Sequence, residues 1–453
     1  IKFHTGLGVE PVLVEEGKLA VVLEKCLEAA DTSLAQLAAG DDLGDLDITA
    51  GEDARSEGDG DIDSTVDDAP VVRFVNKLLM DAINRGASDI HFEPYEKTCR
   101  VRFRQDGILH EVTTTPVTIA GRITARIKIL SRLDIAERRV PQDGRMKLRV
   151  SKNRGIDFRV STLPTMFGEK VVLRILDSAA STVGVDQLGF EPEQKTLFTE
   201  AIHRPYGMVL VTGPTGSGKT MTLYTALNIL NTPDRNISTA EDPIEMSIAG
   251  INQVTINEKA GLTFPGILRA FLRQDPDIIM VGEIRDRETA EIGIKAAQTG
   301  HMVLSTVHTN DAPTTLSRLV NMEVAPFNIA SAVNLIIAQR LVRKLCPLCK
   351  RLVNIPAPAL VKAGFKEGEI KDLKIYGPVG CDQCHEGYKG RVGVFQVMPV
   401  SEAIGAIIMG GGNALDIAIQ ATQDGVADLR TSALKKARNG ITGLEEVERI
   451  TNL

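Results

Sequence analysis

The sequence predicts an α/β protein in which a domain with a mostly parallel sheet follows a smaller α+β domain and carries a zinc-binding subdomain. Three observations support this fold class. A glycine-rich loop at 213–220 lies between a strand and a helix, the setting of a phosphate-binding loop. Short strands surround a helix between 69 and 178. Two Cys-x-x-Cys pairs follow between 346 and 384.

The glycine-rich loop fits the pattern Gly-x-x-x-x-Gly-Lys-Thr at every fixed position. An apolar run at 208–212 predicts the strand before it, and Leu223, Leu227 and Leu230 share one face of the helix after it. Because glycines lack Cβ atoms, successive backbone N–H groups can wrap a polyphosphate at the helix N-terminus. A glycine-rich turn that matches by chance is the alternative. The predicted nucleotide-binding residues are Gly213, Pro214, Thr215, Gly216, Ser217, Gly218, Lys219, Thr220 and Met221, with Thr220 also on Mg²⁺.

The length and composition of the chain limit the number of domains and the kinds of protein that it can form. A chain of 453 residues with 43% hydrophobic residues has room for about three domains. No apolar run approaches the roughly 20 residues of a membrane span, so any membrane association is expected to be peripheral. The chain opens at Ile1 without a signal-peptide pattern, and we therefore expect a fragment of a longer cytosolic protein.

The negative charge belongs to one segment near the start of the chain. The net charge is −7, yet residues 41–68 hold twelve Asp or Glu residues and one Arg. Residues 1–30 predict the end of a small N-terminal domain, and 31–68 predict a flexible acidic linker. A regulatory acidic tail is the alternative for the linker. The charge of the remaining chain does not call for nucleic acid as a partner.

The second domain, 69–178, has the pattern of an α+β sandwich. Apolar spacing predicts helices over 71–83 and roughly 117–132. Strands are predicted at 89–93, 100–104, 146–150, 155–161 and 170–176, and Asp106-Gly107 signals a hairpin. Arg159 faces away from the core by strand alternation, and Arg174 interrupts an apolar strand. Residues alone leave two interpretations of this pair open, a structural salt bridge or a functional anion partner.

The third domain, about 186–400, carries polar residues at the ends of its predicted strands. One strand ends in Glu241-Asp242 and another, 277–283, ends in Glu283. Ligands of open α/β sheets lie at the carboxyl ends of strands, so these carboxylates are expected beside the phosphates. His301 and His308 flank a further strand, which favours a site role over two core histidines.

The last third of the chain predicts one long helix, a metal site and a helical end. Apolar residues at every fourth position from 329 to 345 predict one face of the helix. The pairs Cys346/Cys349 and Cys381/Cys384 have the spacing of a structural, four-thiolate zinc site, with a redox pair or reduced thiols as the alternative. Residues 401–453 predict a C-terminal helical region.

With these motifs in place, the chain resembles, over about 69–453, the hexameric secretion ATPases that drive type II secretion and type IV pilus assembly. The resemblance rests on the phosphate loop, the acidic box 241–245, the segments 268–277 and 281–286, the histidine box 300–308 and the four cysteines. Segments 250–257 and 259–264 are most similar to the pilus extension ATPases, and the type II secretion branch is the near alternative. Retraction ATPases lack the four cysteines.

The resemblance implies a RecA-like third domain and a PAS-like second domain, and it assigns roles to single residues. It implies that Glu283 is the catalytic glutamate, that Glu241 and Asp242 assist the metal or the attacking water, and that His301 reports on the γ-phosphate. Arg159 and Arg174 would reach the nucleotide from the second domain. Other residues expected to act at the nucleotide site or a subunit boundary are Lys219, Arg269, Arg273, Arg285 and His308.

The resemblance implies that 1–30 is the C-terminal remnant of an N-terminal partner-binding domain. It also implies cofactors and an assembly. ATP, Mg²⁺ and Zn²⁺ are expected, together with a homohexamer at the cytoplasmic face of the inner membrane, where it would drive a platform protein of a pilus or secretion machine. Closure of the two domains about 178–186 would couple hydrolysis to motion. Two other classes stay open: a nucleotide-gated scaffold with little hydrolysis, and a nucleic-acid motor using the basic stretch 340–351.

Overall fold

The computed structural model describes residues 48–50, 69–151, 154–176 and 184–451. The chain divides into two compact units between positions 177 and 178. The predicted segment 1–30 and most of the predicted linker 31–68 lie outside the described residues.

In its described residues, the first unit has one antiparallel sheet and two helices. The strands are β1 (Ile48–Ala50), β2 (Asp89–Pro94), β3 (Thr98–Gln105), β4 (Ile108–Pro116), β5 (Gln142–Ser151), β6 (Arg154–Thr165) and β7 (Gly168–Leu176), and the helices are α1 (Ala69–Asn84) and α2 (Val117–Leu130). The order across the sheet is β1-β5-β6-β7-β2-β3-β4. The predicted strands, helices and hairpin are therefore confirmed. The short strand β1 falls inside the predicted linker and pairs with β5.

Strand alternation builds the core of this unit. Ile156, Phe158 and Val160 of β6 are buried, and the residues between them lie on the opposite face of the sheet. Ile123 and Ile127 of α2 belong to the same apolar cluster, so the helices cover the apolar face of the sheet. The polar face of the sheet carries Arg159 and Arg174.

The second unit is a mostly parallel sheet flanked by helices. Its strands are β8 (Gly207–Thr212), β9 (Ile237–Glu241), β10 (Asn252–Thr255), β11 (Ile278–Val281), β12 (Met302–Val307), β13 (Val333–Leu345) and β16 (Tyr388–Pro399), and a separate two-stranded sheet pairs β14 (Arg351–Leu352) with β15 (Tyr376–Gly377). The order of the large sheet is β10-β9-β11-β12-β8-β13-β16, with only β16 antiparallel. The predicted α/β class is confirmed.

The helices of this unit lie before, between and after the strands in sequence. They are α3 (Val185–Leu188), α4 (Pro192–Ile202), α5 (Lys219–Leu230), α6 (Phe264–Phe271), α7 (Arg287–Gln298), α8 (Ala312–Asn321), α9 (Pro326–Ala332), α10 (Ala357–Ala363), α11 (Glu402–Met409), α12 (Ala414–Gln423), α13 (Leu429–Arg438) and α14 (Leu444–Thr451). Two 3₁₀ turns cover Glu258–Ala260 and Glu367–Asp372.

The prediction of one long helix over 329–345 is wrong. Helix α9 ends at Ala332, and the next thirteen residues form β13, which pairs with β8 and β16. The positions 333, 337, 341 and 345 lie four apart, and a spacing of four also satisfies the two-residue period of a strand. Since β13 is buried on both faces over most of its length, its apolar segment 335–338 suits an inner strand of a parallel sheet.

The described part of the C-terminal region, 401–451, is helical as predicted, and it packs into the second unit. Ile404, Ile408 and Ile417 lie in the apolar cluster around β8, β11 and β12. Ala433 and Val447 lie in another cluster, which includes Val342 of β13. Within the described residues, no helix combines the length and the apolar character needed to cross a membrane.

Candidate functional site

Strand register brings the predicted site residues to one edge of the second sheet. Strands β8, β9, β11 and β12 are parallel, and Thr212 lies opposite Val307 while Val281 lies opposite Ala240. The carboxyl ends of the four strands are therefore level. The site residues lie at these ends, as expected for an open α/β sheet: Glu241 is the last residue of β9, the phosphate loop and His308 directly follow β8 and β12, and Glu283 is two residues beyond β11.

The phosphate loop has the backbone that its glycines permit. Gly213, Gly216 and Gly218 have φ angles of +148°, +78° and +87°, which favour glycine. A Cβ atom on Gly213 would lie 2.5 Å from the carbonyl oxygen of Gln339, and one on Gly216 would meet no atom within 4 Å. Helix α5 begins at Lys219, so the loop leads directly into a helix N-terminus.

The side chains of this loop suit a polyphosphate bound with Mg²⁺. The ammonium of Lys219 donates to the carbonyl oxygens of Gly213 and Pro214 at 2.9 and 3.1 Å, which places it inside the loop. Burial lowers the pKa of Lys219, and the Glu283 carboxylate opposes that shift. The buried Ser217 hydroxyl has no hydrogen-bond partner within the described chain. Thr220 is exposed in the first turn of α5, where its hydroxyl is available to a hard cation.

Glu283 is the centre of the charged groups beside the loop. Its side chain is 15% exposed, pairs with the guanidinium of Arg285 and lies 3.5 Å from Nε2 of His308. Hydrogen bonding to Glu283 raises the pKa of Arg285, which also lies 3.8 Å from Asp242. The structure therefore brings Glu283, Asp242, Arg285, His308 and Lys219 together.

Glu241 lies at the same edge of the sheet, but its carboxylate oxygens already accept hydrogen bonds from neighbouring side chains. It is 4% exposed and accepts hydrogen bonds from the hydroxyls of Tyr224 and Thr239 at 2.5 and 2.6 Å and from the amide of Gln253 at 3.0 Å. Burial and the nearby carboxylate raise the pKa of Tyr224. This network fixes the end of β9 beside the loop, and direct assistance by Glu241 to the metal or water stays a prediction.

The expectation that His301 reports on the γ-phosphate is wrong for the site of its own chain. His301 precedes β12, and its carbonyl oxygen accepts from the N–H of Gly207 at the amino end of β8. The six residues of β12 span about 20 Å, so His301 lies at the opposite edge of the sheet from the phosphate loop. His308, at the other end of the strand, occupies the site instead.

His308 gives a pH-dependent prediction. Burial lowers its pKa below the ordinary value of 6.5, and the ammonium of Lys219 lowers it further. Protonation therefore favours the unfolded chain, and the stability contributed here is expected to fall as the pH drops below 6.5. An NMR titration of the imidazole, assigned with His308→Gln, checks this. A midpoint at or above 6.5 would contradict it.

Arg269 and Arg273 lie outside this group. The guanidinium of Arg269 pairs with Glu288 in the first turn of α7 at 2.5 Å, and Arg273 donates to the carbonyl oxygen of Arg269. Within the described residues, no hydrogen bond or ion pair joins either arginine to the phosphate loop. Their expected action at a nucleotide or a subunit boundary stays a prediction.

Arg159 and Arg174 lie side by side in the first unit. They are opposite one another on β6 and β7, and Arg174 pairs with Asp89 at 3.0 Å. The structural salt bridge that the sequence left open is therefore present for Arg174, whose side chain is 55% exposed. The two belong to a cross-strand row with Arg145 and Arg104, in which Asp89 is the only carboxylate. Such a row attracts anions, and a role at the nucleotide stays a prediction.

The structure adds two residues that sequence reasoning missed. Gln339 accepts from the hydroxyl of Thr222 at 2.7 Å, and the guanidinium of Arg340 lies against Gly213. Both follow the point where β13 passes the end of β8, since Ala338 lies opposite Thr212. The sequence contained a signal for these two residues, because Gln339 and Arg340 interrupt the apolar run of β13, just as Arg174 interrupts that of β7.

The four cysteines converge as predicted. The sulfur atoms of Cys346, Cys349, Cys381 and Cys384 lie within 4.8 Å of one another, and three of the separations are 3.6 to 3.9 Å. Thiolates 2.3 Å from a tetrahedral zinc ion would be about 3.8 Å apart, so the donor set fits zinc. The N–H groups of Gly380 and Cys381 point at two of the sulfurs, both at 3.3 Å.

We expect one zinc ion per chain and a structural role for it. Four thiolates leave no open position for catalysis, and metal binding should supply folding energy to the cluster. Cys346→Ser should lose the metal and lower the melting temperature by about 5 °C or more. Elemental analysis and calorimetry test this, with Cys99→Ser in the first unit as the control that keeps the metal. A folded, equally stable Cys346→Ser chain would contradict the structural role.

Comparison with known proteins shows the family. The model of the family described as Type II/IV secretion system protein matches residues 64–449. The type IV pilus assembly ATPase PilB of Pseudomonas aeruginosa is 58% identical over 455 residues, covering 100% of this chain and 79% of its own. The type II secretion system protein E of the same organism is 44% identical over 422 residues, covering 93% and 83%.

A solved structure supports the same conclusion. The pilus retraction motor PilT with bound ADP has a TM-score of 0.56 and 26% identity, over 83% of this chain and 96% of that chain. The resemblance to secretion and pilus ATPases inferred from the motifs is therefore confirmed.

Proposed function

Because the chain belongs to the family of type II/IV secretion system proteins, we propose that it is an ATP-hydrolysing motor that powers type IV pilus assembly. One observation carries the enzymatic part. Lys219 in the phosphate loop and Glu283 at the end of β11 meet at the carboxyl edge of one parallel sheet, together with Arg285 and His308.

Each residue at the carboxyl edge of the sheet would have a separate role in the transfer of the phosphoryl group to water. The loop N–H groups and Lys219 would bind the phosphates, and Thr220 would hold Mg²⁺, which neutralises charge on the transferred phosphoryl group. Glu283 would orient the attacking water and accept its proton. Its contacts with Arg285 and His308 hold the carboxylate in one place, so little positional freedom is lost when the reaction begins.

The assembly is also part of the proposal. We expect a homohexamer at the cytoplasmic face of the inner membrane, where each subunit passes the movement caused by hydrolysis to a platform protein. Zinc at the four cysteines would brace the segment 346–384 of each subunit. ATP and Mg²⁺ are the remaining expected cofactors.

Pilus assembly is favoured over type II secretion by the degree of similarity. The chain is 58% identical to the pilus assembly ATPase of P. aeruginosa and 44% identical to the secretion protein of that organism. Deleting the gene in its own host should abolish surface pili and leave the secretion of folded exoproteins intact, with pili restored by the wild-type gene. Loss of secretion with normal piliation would assign the protein to the secretion branch.

A further inference from the structure

Arg340 is a buried cation that none of the steps above uses. It follows the point where β13 passes the carboxyl end of β8, so it is level with the first residues of the phosphate loop. Its side chain is held there by two carbonyl oxygens. Nη1 donates to Gln339 at 3.1 Å, and Nη2 donates to Asn310 at 2.8 Å.

These contacts connect two segments of the nucleotide site. Asn310 lies in the loop that carries His308, and Nη1 would be 3.2 Å from a Cβ atom on Gly213, the first glycine of the phosphate loop. The neighbouring Gln339 bonds Thr222 in the first turns of α5. The pair Gln339-Arg340 therefore braces the start of the phosphate loop, the helix that follows the loop and the segment 308–310.

The charge of Arg340 is poorly compensated. The residue is 4% exposed, and within the described chain it forms no ion pair with a carboxylate; its Nε has no hydrogen-bond partner. Burial lowers the pKa of Arg340, and Asp311 opposes that shift from outside ion-pair distance. Arg340 in turn lowers the pKa of Lys219, so its positive field reaches the ammonium inside the loop. A buried cation without a counter-ion is costly, and an anion bound nearby removes part of that cost.

We propose that Arg340 is a positioning residue for the phosphates of the nucleotide, holding the loop through Gln339 and Asn310 while its buried charge strengthens the binding of ATP and ADP. This inference rests on the proposed ATPase function. It places the effect of Arg340 on binding, because the guanidinium contacts the segments that frame the phosphate loop, whereas the partners of Glu283, the residue assigned to the water, are Arg285 and His308.

The test separates this role from a purely structural one. In Arg340→Met the stem is kept and the charge removed, so the nucleotide-free chain should melt within about 2 °C of wild type or higher, since apolar replacement of buried charge is often neutral or stabilising. The dissociation constants of ADP and Mg-ATP, measured by titration calorimetry, should both rise about tenfold or more. The rise in melting temperature caused by ADP should shrink accordingly.

Two further variants complete the experiment. Arg340→Lys keeps the charge and should bind nucleotide with an affinity between those of wild type and Arg340→Met. If Arg340→Met folds poorly, the comparison of Arg340→Lys with wild type still tests the positioning role. Arg351→Met, an exposed arginine of the same basic stretch, is the control and should bind like wild type.

The outcomes distinguish the two proposals. Unchanged nucleotide affinity in a folded Arg340→Met chain overturns the inference, as does a lower nucleotide-free melting temperature with an unchanged ADP-induced rise. Equal loss of nucleotide affinity in Arg340→Lys and Arg340→Met contradicts the claim that the buried charge of Arg340 strengthens binding. Failure of the wild-type chain to bind Mg-ATP contradicts the ATPase function itself.

Discussion

Glu283→Gln is expected to lower the rate of ATP hydrolysis by about 100-fold or more while ATP affinity changes by less than about threefold, since a general base contributes 10²–10⁴ to the rate. Glutamine keeps the size and hydrogen-bonding reach of the side chain but cannot take a proton from water. Glu283 lies beside the phosphate loop rather than in it, so the groups that bind the phosphates stay in place.

The measurement is steady-state phosphate release together with ATP titration of the same preparation. Glu291→Gln is a matched control, because Glu291 pairs with Arg287 on the exposed face of α7 and lies outside the site. It should hydrolyse ATP like wild type. Near-normal turnover in Glu283→Gln would remove this residue from the chemistry and direct attention to Asp242.

Lys219→Ala is expected to reduce the affinity for ATP about 100-fold, since each hydrogen bond to a charged group is worth about 1.5–3 kcal/mol. The ammonium now bonds two carbonyl oxygens of the loop, and burial lowers its pKa. Anionic phosphate oxygens form stronger hydrogen bonds with an ammonium than carbonyl oxygens do. ATP binding should therefore depend on both the charge and the hydrogen bonds of Lys219. Turnover should fall with binding.

The control for this variant is Lys195→Ala. Lys195 pairs with Asp186 at the surface, away from the phosphate loop, and its removal should leave ATP binding unchanged. Calorimetric titration with Mg-ATP measures both variants. If Lys219→Ala binds ATP as tightly as wild type, the loop at 213–220 is not the phosphate site.

The parts of the site that were predicted from sequence are those encoded locally. The phosphate loop lies between a strand and a helix in one continuous segment, and Glu283 is two residues beyond the end of its strand. The four cysteines carry their pairing in the spacing. The wrong assignment of His301 came from treating both ends of β12 alike, although only the carboxyl end of a parallel strand can meet the phosphate loop.

The parts that were missed depend on contacts between distant segments. Arg340 reaches Gly213 only because β13 is the neighbour of β8, and a spacing of four residues concealed that β13 is a strand at all. Arg174 has apolar neighbours in sequence, whereas its exposure and its ion pair with Asp89 depend on the neighbouring strand β2. Sheet order and solvent exposure are set by the whole fold, and neither can be read from a window of ten residues.

An experimental structure of the Glu283→Gln chain with Mg²⁺ and ATP tests the central claim most directly, because slow turnover should preserve the nucleotide. We predict phosphates against the loop N–H groups and Lys219, with the metal at Thr220 and the side chain at position 283 facing the γ-phosphate. A nucleotide bound elsewhere, or phosphates in the loop with position 283 turned away from them, would contradict the account.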